Sequence, residues 1–281
     1  MNACMTFDGD LDRMTQPRPA DSAENYTPRY IAHRGLSARA PENTLAAVQA
    51  AHDAGCDWVE LDVQLLGDGT PVIWHDAGLK RCSDGRGKLF KLNAESAAKL
   101  DAGSWFGAQY RGEPIATLEA MLALIKRLGM GLNLELKVCR GRNAIELVRA
   151  ALPPTLEALP ADKLIVSSFD RHALTAARAL ESDPDRLRLG VLDDKAPKRW
   201  WQETERLSAY SLHLDWRKLK IKRAQEIADE EIKLFCYTAN DPVTFEKLWD
   251  WGVDGVISDD PTRFVMHAEE MSERPSSVKS A

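Results

Sequence analysis

Short apolar runs alternate with amphipathic stretches along most of this 281-residue chain. Eight of the runs have the length and composition of buried strands, and each is followed by a stretch with helical apolar periodicity. The predicted strands are 30–33, 58–63, 132–137, 164–168, 187–192, 211–214, 233–237 and 255–258. Eight strand–helix units are the number in a closed (β/α)8 barrel, so we predict an α/β fold of the TIM-barrel type. A doubly wound open sheet is the alternative, although no strong GxGxxG turn follows the first strand.

Two places depart from this simple alternation. After the second strand, the turn residues of 67–69 and the apolar run 72–74 indicate a hairpin, so we predict a small insertion at about 65–116. The helix after the third barrel strand is expected to cover 143–151, because Pro153 and Pro154 should break it.

The barrel domain is predicted to span 29–270, with loose tails at 1–28 and 271–281. No apolar stretch has the length of a signal peptide or of a membrane span. The five cysteines are odd in number and show no CxxC spacing, which indicates free thiols in a reducing compartment. We therefore expect a cytoplasmic protein without a membrane span; its oligomeric state stays open.

Net charge restricts the class of partner. Lysine and arginine number 37 against 43 aspartates and glutamates, which gives a net charge of −6. Nucleic-acid binders usually present a basic face, so this balance argues against that class. A small anionic substrate remains possible, because local cations and metals determine the field inside a site.

Acidic side chains mark the ends of two neighbouring predicted strands. Glu60 and Asp62 are two residues apart, so their side chains share a face about 6.6 Å apart along the strand. Glu135 lies near the end of the next predicted strand, where Lys137 repeats the two-residue spacing. Neighbouring carboxylates repel unless a positive charge separates them, and oxygen ligands suit Mg²⁺ or Ca²⁺. We predict a divalent-metal site of Glu60, Asp62 and Glu135, against the alternative of unrelated surface carboxylates.

Cationic and imidazole side chains lie at the same predicted strand ends. Arg34 and Lys137 are candidates for binding a phosphate group, or they only neutralise the neighbouring carboxylates. His33 and His75 are candidates for acid–base catalysis, because imidazole gains and loses a proton near neutral pH. A single histidine at a strand end is more often structural, so the prediction depends on two of them flanking the metal site.

Several ordered motifs resemble the glycerophosphodiester phosphodiesterase family, in its cytoplasmic bacterial type. They are His33-Arg34-Gly35, Pro41-Glu42-Asn43-Thr44, Glu60-Leu61-Asp62-Val63, His75-Asp76, Glu135-Leu136-Lys137, Ser168-Phe169 and Tyr237-Thr238-Ala239-Asn240. The likeness extends from about residue 30 to about residue 264, and a set of spaced motifs is far more specific than one short pattern.

This resemblance implies a TIM barrel of the PLC-like phosphodiesterase type, with a small insertion after the second strand. It implies metal-dependent hydrolysis of deacylated phospholipids, such as glycerophosphocholine or glycerophosphoethanolamine, to glycerol 3-phosphate and an alcohol. Metal binding by the three carboxylates and bracing of the first loop by Glu42 or Asn43 follow from it. Phe169 and Tyr237 are expected to line the glycerol side, although many members carry Trp where Tyr237 stands.

Other interpretations remain open at this point. A related barrel could act on lysophospholipids or sphingomyelin-like lipids, as a lysophospholipase D or sphingomyelinase D does, and would need an apolar groove at its mouth. A non-catalytic barrel could serve as a binding module. Within the insertion, Trp74, Trp105 and Phe106 could roof the pocket or form the insertion's own small core.

Overall fold

The computed structural model describes residues 27–230 and 232–273. Within them the strands are β1 (Tyr30–His33), β2 (Trp58–Leu65), β3 (Pro71–Ile73), β4 (Gly131–Leu136), β5 (Leu164–Ser168), β6 (Arg188–Asp193), β7 (Ser211–Asp215), β8 (Lys233–Tyr237) and β9 (Gly255–Ser258). All except β3 are parallel, and they close into a barrel because β1 pairs with both β9 and β2. β3 pairs antiparallel with β2 and stays outside the barrel. The predicted (β/α)8 barrel is confirmed, and the open sheet is wrong.

Helices connect consecutive barrel strands. In the described ranges they are α1 (Leu45–Asp53), α2 (Ala94–Ala97), α3 (Leu118–Leu128), α4 (Ala144–Ala158), α5 (Arg171–Leu180), α6 (Trp200–Leu207), α7 (Ile221–Asp229), α8 (Pro242–Phe245), α9 (Lys247–Asp250) and α10 (Thr262–Glu273). Side-chain oxygens of Thr44, Thr117, Asn143 and Asp170 accept hydrogen bonds from backbone amides in the first turns of α1, α3, α4 and α5. One helix was predicted after the strand at 233–237, and the structure has two short helices there, α8 and α9.

The prediction that Pro153 and Pro154 end a helix is wrong. Both prolines lie inside α4, which continues to Ala158. They are exposed, so the carbonyls left without amide donors can bind water. Leu152 and Thr155 are fully buried, and the Thr155 hydroxyl donates to the Ala151 carbonyl over 2.7 Å. Burial of this face therefore outweighs the local cost of the prolines.

Inside the barrel, toward the amino-terminal ends of the strands, large and small residues alternate from strand to strand. Trp58 and Phe235 are fully buried inside it, and each lies against a glycine of the next strand. A Cβ atom at Gly131 would lie 2.2 Å from the Trp58 ring, and one at Gly255 would lie 2.6 Å from the Phe235 ring. The rings fill the interior because these two strands carry no side chain there.

The insertion between β2 and α3 has its own apolar core. This core consists of Leu66, Val72, Trp74, Leu79, Cys82, Leu89, Ala97, Ala102 and Ile115. Trp74 is buried there, and its Nε1 donates to the Gly78 carbonyl over 3.0 Å. The alternative that this residue packs within the insertion is therefore the one the structure supports.

Both predicted tails fall mostly outside the described residues. Residues 1–26 and 274–281 are not described, and α10 continues to Glu273, three residues into the predicted C-terminal tail. The domain boundaries stay a prediction. Among the helices that the structure describes, none combines the length and the apolar character needed to cross a bilayer.

Candidate active site

The mouth of the barrel, at the carboxyl ends of the strands, contains a cavity of about 400 Å³. Of the nine residues predicted for the site, eight line it: His33, Arg34, Glu60, His75, Glu135, Lys137, Phe169 and Tyr237. The ninth, Asp62, is buried and pairs with two of the others. Side chains alternate along a strand, so one face of β2 and β4 brings every second residue into the barrel.

Three carboxylates converge below the cavity. One oxygen from each of Glu60, Asp62 and Glu135 lies within 4.8 Å of the other two. The strand register explains this, because Asp62 stands directly opposite Glu135. Burial raises the pKa of Glu60 well above its usual value, and the charges of Asp62 and Glu135 raise it further. Burial and Asp62 likewise raise the pKa of Glu135, to about 7.

Two cations neutralise part of this cluster. Lys137 Nζ lies 2.9 Å from Glu135 and 3.3 Å from Asp62. Arg34 Nε lies 3.3 Å from Asp62, and the Arg34 backbone amide donates to Glu60 over 3.2 Å. Although burial opposes it, Lys137 and Arg34 lower the pKa of Asp62 to about 2. When all three carboxylates are ionised, they exceed the two fixed cations by one negative charge, and a bound cation would stabilise that state.

The first histidine is part of a barrel strand. His33 ends β1, and its Nδ1 donates to Asp259, the residue after β9, over 2.6 Å. Asp259 also accepts hydrogen bonds from Ser37 and Asn240. Because a carboxylate can only accept, Nδ1 carries the proton and Nε2 is the free ring atom, 3.9 Å from Glu60.

The second histidine belongs to the insertion. His75 Nδ1 lies 2.7 Å from Asp76, and Gln64 donates to the carbonyls of both residues. Burial lowers the pKa of His75, and nearby Arg34 and Lys137 lower it further, against the attraction of Asp62. The lowered pKa favours the neutral form of the imidazole.

A chain of ion pairs connects the two halves of the site. Glu42 accepts from Arg34 over 2.6 Å and from Arg81 over 2.9 Å, and Arg81 also binds Asp76 over 2.7 Å. Asn43 Nδ2 donates to Asp62 over 2.8 Å. Bracing by Glu42 or Asn43 was expected, and both residues contact the site; sequence reasoning missed Arg81.

Sequence reasoning also missed residues of the cavity floor and wall. Asn133 and Ser167 are buried and line the cavity, and their side-chain polar atoms have no hydrogen-bond partner in the described residues. Asn133 is two residues before Glu135 on the same face of β4, which is the signal that could have identified it. Arg217 lines the opposite side and forms two hydrogen bonds with Asp215.

Two aromatic side chains, Phe169 and Tyr237, line one wall of the cavity. The rings of Phe169 and Tyr237 pack edge to face with centroids 6.0 Å apart. Lys137 Nζ lies 5.8 Å from the Phe169 centroid, and the Tyr237 hydroxyl donates to the Asp193 carbonyl over 2.9 Å. Trp105 and Phe106 do not line the cavity, and Trp105 is 42% exposed, so neither roofs the site in this structure.

Comparison with known proteins identifies the family. The model of the glycerophosphoryl diester phosphodiesterase family matches residues 33–263. The chain belongs to this family. A glycerophosphodiester phosphodiesterase of Caldanaerobacter subterraneus subsp. tengcongensis is 34% identical over 238 residues, which cover 84% of this chain and 95% of that protein. The predicted resemblance to phosphodiesterases of this family is confirmed.

Solved structures of the family agree with the fold. A phosphodiesterase of Oleispira antarctica, in complex with the product sn-glycerol-3-phosphate, has a TM-score of 0.83 and 38% identity, covering 89% of this chain and 100% of its own. The glycerophosphodiester phosphodiesterase of Thermotoga maritima has a TM-score of 0.65 and 26% identity, covering 86% and 99%.

The acidic cluster of this family member fits a hard divalent cation. All three donors are carboxylates, which Mg²⁺ and Ca²⁺ prefer over nitrogen or sulfur ligands. Among the described residues, this is the one cluster of three or more acidic, histidine or cysteine side chains whose ligand atoms are close enough to share a metal ion. Glu60, Asp62 and Glu135 can thus hold a metal ion beside Arg34 and Lys137.

Proposed function

We propose that this chain hydrolyses glycerophosphodiesters, such as glycerophosphocholine or glycerophosphoethanolamine, to glycerol 3-phosphate and an alcohol. The proposal includes a divalent metal, Mg²⁺ or Ca²⁺, bound by Glu60, Asp62 and Glu135. The observation that carries it is the convergence of this acidic cluster, two cations and two histidines on one cavity. The product bound to the Oleispira antarctica relative supports the same substrate class.

The cations of the site would hold the phosphoryl group. The Arg34 guanidinium and the Lys137 ammonium reach the cavity beside the acidic cluster and match the charge of phosphate oxygens. When bound, a metal would withdraw electron density from the phosphorus and stabilise charge on the transferring group. Phe169 and Tyr237 would line the glycerol side of the cavity, next to Lys137.

The two histidines would transfer the protons. His75 is the better base, because its lowered pKa keeps Nε2 free to accept a proton from the attacking hydroxyl, of water or of the substrate's own glycerol. His33, in its doubly protonated imidazolium form, would donate the proton of Nε2 to the departing alkoxide, which leaves as the alcohol, and would keep the Nδ1 proton hydrogen-bonded to Asp259. Asp259 and Asp76 orient the two rings through Nδ1.

A cytoplasmic location remains part of the proposal. Cys56, Cys82, Cys139 and Cys236 form no disulfide in the described residues, which suits a reducing compartment. Neither a lipid-cleaving barrel nor a pure binding module has a specific observation in its favour.

The test is glycerophosphocholine turnover by the full chain, before and after metal removal with EDTA and readdition of Mg²⁺ or Ca²⁺. We expect chelation or Glu60→Gln to lower kcat at least roughly 10³-fold, because several kcal/mol of charge stabilisation is lost. Glu157→Gln, an exposed carboxylate on α4, is the matched control and should change neither turnover nor metal titration. Full activity after complete metal removal would contradict the metal assignment.

A further inference from the structure

A second cavity of about 250 Å³ lies beside the active site, between the insertion and the loop from β4 to α4. Lys88 and Phe90 of the insertion line one side, and Arg140 and Arg142 of the loop line the other. Lys137 lines both this cavity and the catalytic one. We call the space bounded by these five residues the basic pocket.

The basic pocket carries an uncompensated positive charge. No aspartate or glutamate lines it, and Lys88, Arg140 and Arg142 form no ion pair within the described residues. The Arg142 guanidinium lies 5.3 Å from the Phe90 ring centroid, so it is held in place without a carboxylate. Cations that lack a carboxylate partner and line the same cavity favour an anionic ligand.

The basic pocket is within reach of a substrate held at the catalytic site. Arg140 follows Lys137 by three residues, so their Cα atoms are at most about 11 Å apart. A phosphodiester bound at Lys137 has two substituents, and one of them can extend past this residue into the basic pocket. The Lys137 ammonium lies against Glu135, on the side of the catalytic cavity. A bound phosphate would therefore lie on one side of the Lys137 side chain and the basic pocket on the other.

We propose that the basic pocket binds the alcohol end of the substrate and selects glycerophosphodiesters whose alcohol carries a further negative charge. A carboxylate or a second phosphate has the required chemistry. This inference rests on the proposed function and specifies its substrate class. Selection acts on the leaving group and is separate from the chemistry at the histidines.

The size of the basic pocket argues against a long acyl chain as its occupant. Sites for drug-sized ligands span ~300–1,000 Å³, and the basic pocket, at about 250 Å³, lies below that range. Leu89 and Leu147 supply an apolar floor, but the charged side chains stand around it. A short, charged alcohol fits this combination better than a lysophospholipid.

The test compares substrates that differ by one charged group. Glycerophosphoserine differs from glycerophosphoethanolamine by a single carboxylate, and 1,3-bis(glycerophospho)glycerol carries a second phosphate. We expect kcat/KM to be higher for at least one of these anionic substrates than for glycerophosphoethanolamine, with a preference that weakens as salt is raised. The double variant Arg140→Ala/Arg142→Ala should lower that preference about tenfold, since two partly exposed charge contacts are lost.

Arg149→Ala is the matched control, because Arg149 is exposed on α4 and does not line the basic pocket. It should leave the preference unchanged. No preference for either anionic substrate, an unchanged preference in the double variant, or faster turnover of lysophosphatidylcholine would overturn the inference. Turnover of glycerophosphoethanolamine separates the two proposals: if the wild type hydrolyses it without charge preference, only the basic pocket assignment fails.

Discussion

The two histidines of the site are paired with carboxylates in the same way, but different parts of the molecule hold them. His33 ends β1 and Asp259 directly follows β9, and these two strands are joined by backbone pairing. His75 and Asp76 are neighbours in the insertion, outside the barrel. The first pair therefore inherits the rigidity of a closed sheet, whereas the second depends on a few side-chain contacts.

The supporting contacts differ accordingly. Although burial opposes it, the hydrogen bond from His33 lowers the pKa of Asp259 to about 2. Arg81 is the main cause of the lowered pKa of Asp76, also about 2, and the hydrogen bond from His75 adds to it. In the barrel pair, His33 and Asp259, the carboxylate is thus stabilised by its own histidine. In the insertion pair, His75 and Asp76, it is stabilised mainly by Arg81. The half of the site that the insertion supplies is therefore the more sensitive to substitution.

Among the changes that test this comparison, removal of either imidazole has the largest expected effect. His33→Ala and His75→Ala should each lower kcat for glycerophosphoethanolamine roughly 10²–10⁴-fold, the range for positioned acid–base groups. Metal titration should stay close to that of the wild type, because neither ring belongs to the acidic cluster. Steady-state kinetics and calorimetric titration measure the two properties.

His52→Ala is the control, since His52 lies on α1 and contacts Asp53 outside the site. The double variant His33→Ala/His75→Ala should lose little more kcat than the less active single variant, because the two histidines act as one unit. A fully active His33→Ala would remove the barrel pair from the mechanism and break the comparison.

Most of the barrel could be predicted from sequence because its strands are buried on both faces. Four strands, 30–33, 164–168, 233–237 and 255–258, have the predicted bounds. Failures occur where tertiary burial overrides a local signal. Pro153 and Pro154 sit in α4 because its buried face keeps the helix intact.

The acidic cluster was predictable because its spacing is local to two strands. By contrast, Asp259 is 226 residues from His33, and only closure of the barrel brings them together. Its position directly after β9 was the available signal, since functional residues follow strand ends in this fold. Arg81 lies in an irregular segment with no periodic pattern, and its two carboxylate partners are 5 and 39 residues away.

A smaller effect should follow from loosening the insertion pair. Arg81 forms hydrogen bonds with both Asp76 and Glu42, so Arg81→Met should displace His75 and lower kcat/KM about tenfold. The pKa of His75 should rise, because Asp76 loses its competing cation. NMR titration of the imidazole measures that shift.

Lys99→Met is the matched control in the same insertion, since Lys99 pairs with exposed Glu95. Arg81→Lys should restore only part of the activity, because an ammonium cannot bind two carboxylates in the bidentate geometry of a guanidinium. Unchanged kinetics in Arg81→Met would show that the insertion pair is as rigid as the barrel pair.

The smallest expected effect concerns stability of the metal-free protein, and it isolates the carboxylates on the barrel side. The pKa of Glu135 rises from 4.5 to about 7 on folding, so the folded chain retains a proton that the unfolded chain releases. This stabilising contribution is complete below pH 4.5 and is lost as pH rises through about 7. Asp62, with a pKa lowered to about 2, titrates below this window and does not offset the loss.

Glu135→Gln removes this titration while keeping the shape of the side chain. The melting temperature of the variant relative to the wild type should therefore increase from pH 5 to pH 8, by about 5 °C. Comparing the two chains cancels the histidines, whose lowered pKa values favour the folded state as pH rises. Added Mg²⁺ or Ca²⁺ should stabilise the wild type at pH 8 and not the variant. A melting-temperature difference that is independent of pH would contradict the raised pKa of Glu135 in the folded chain.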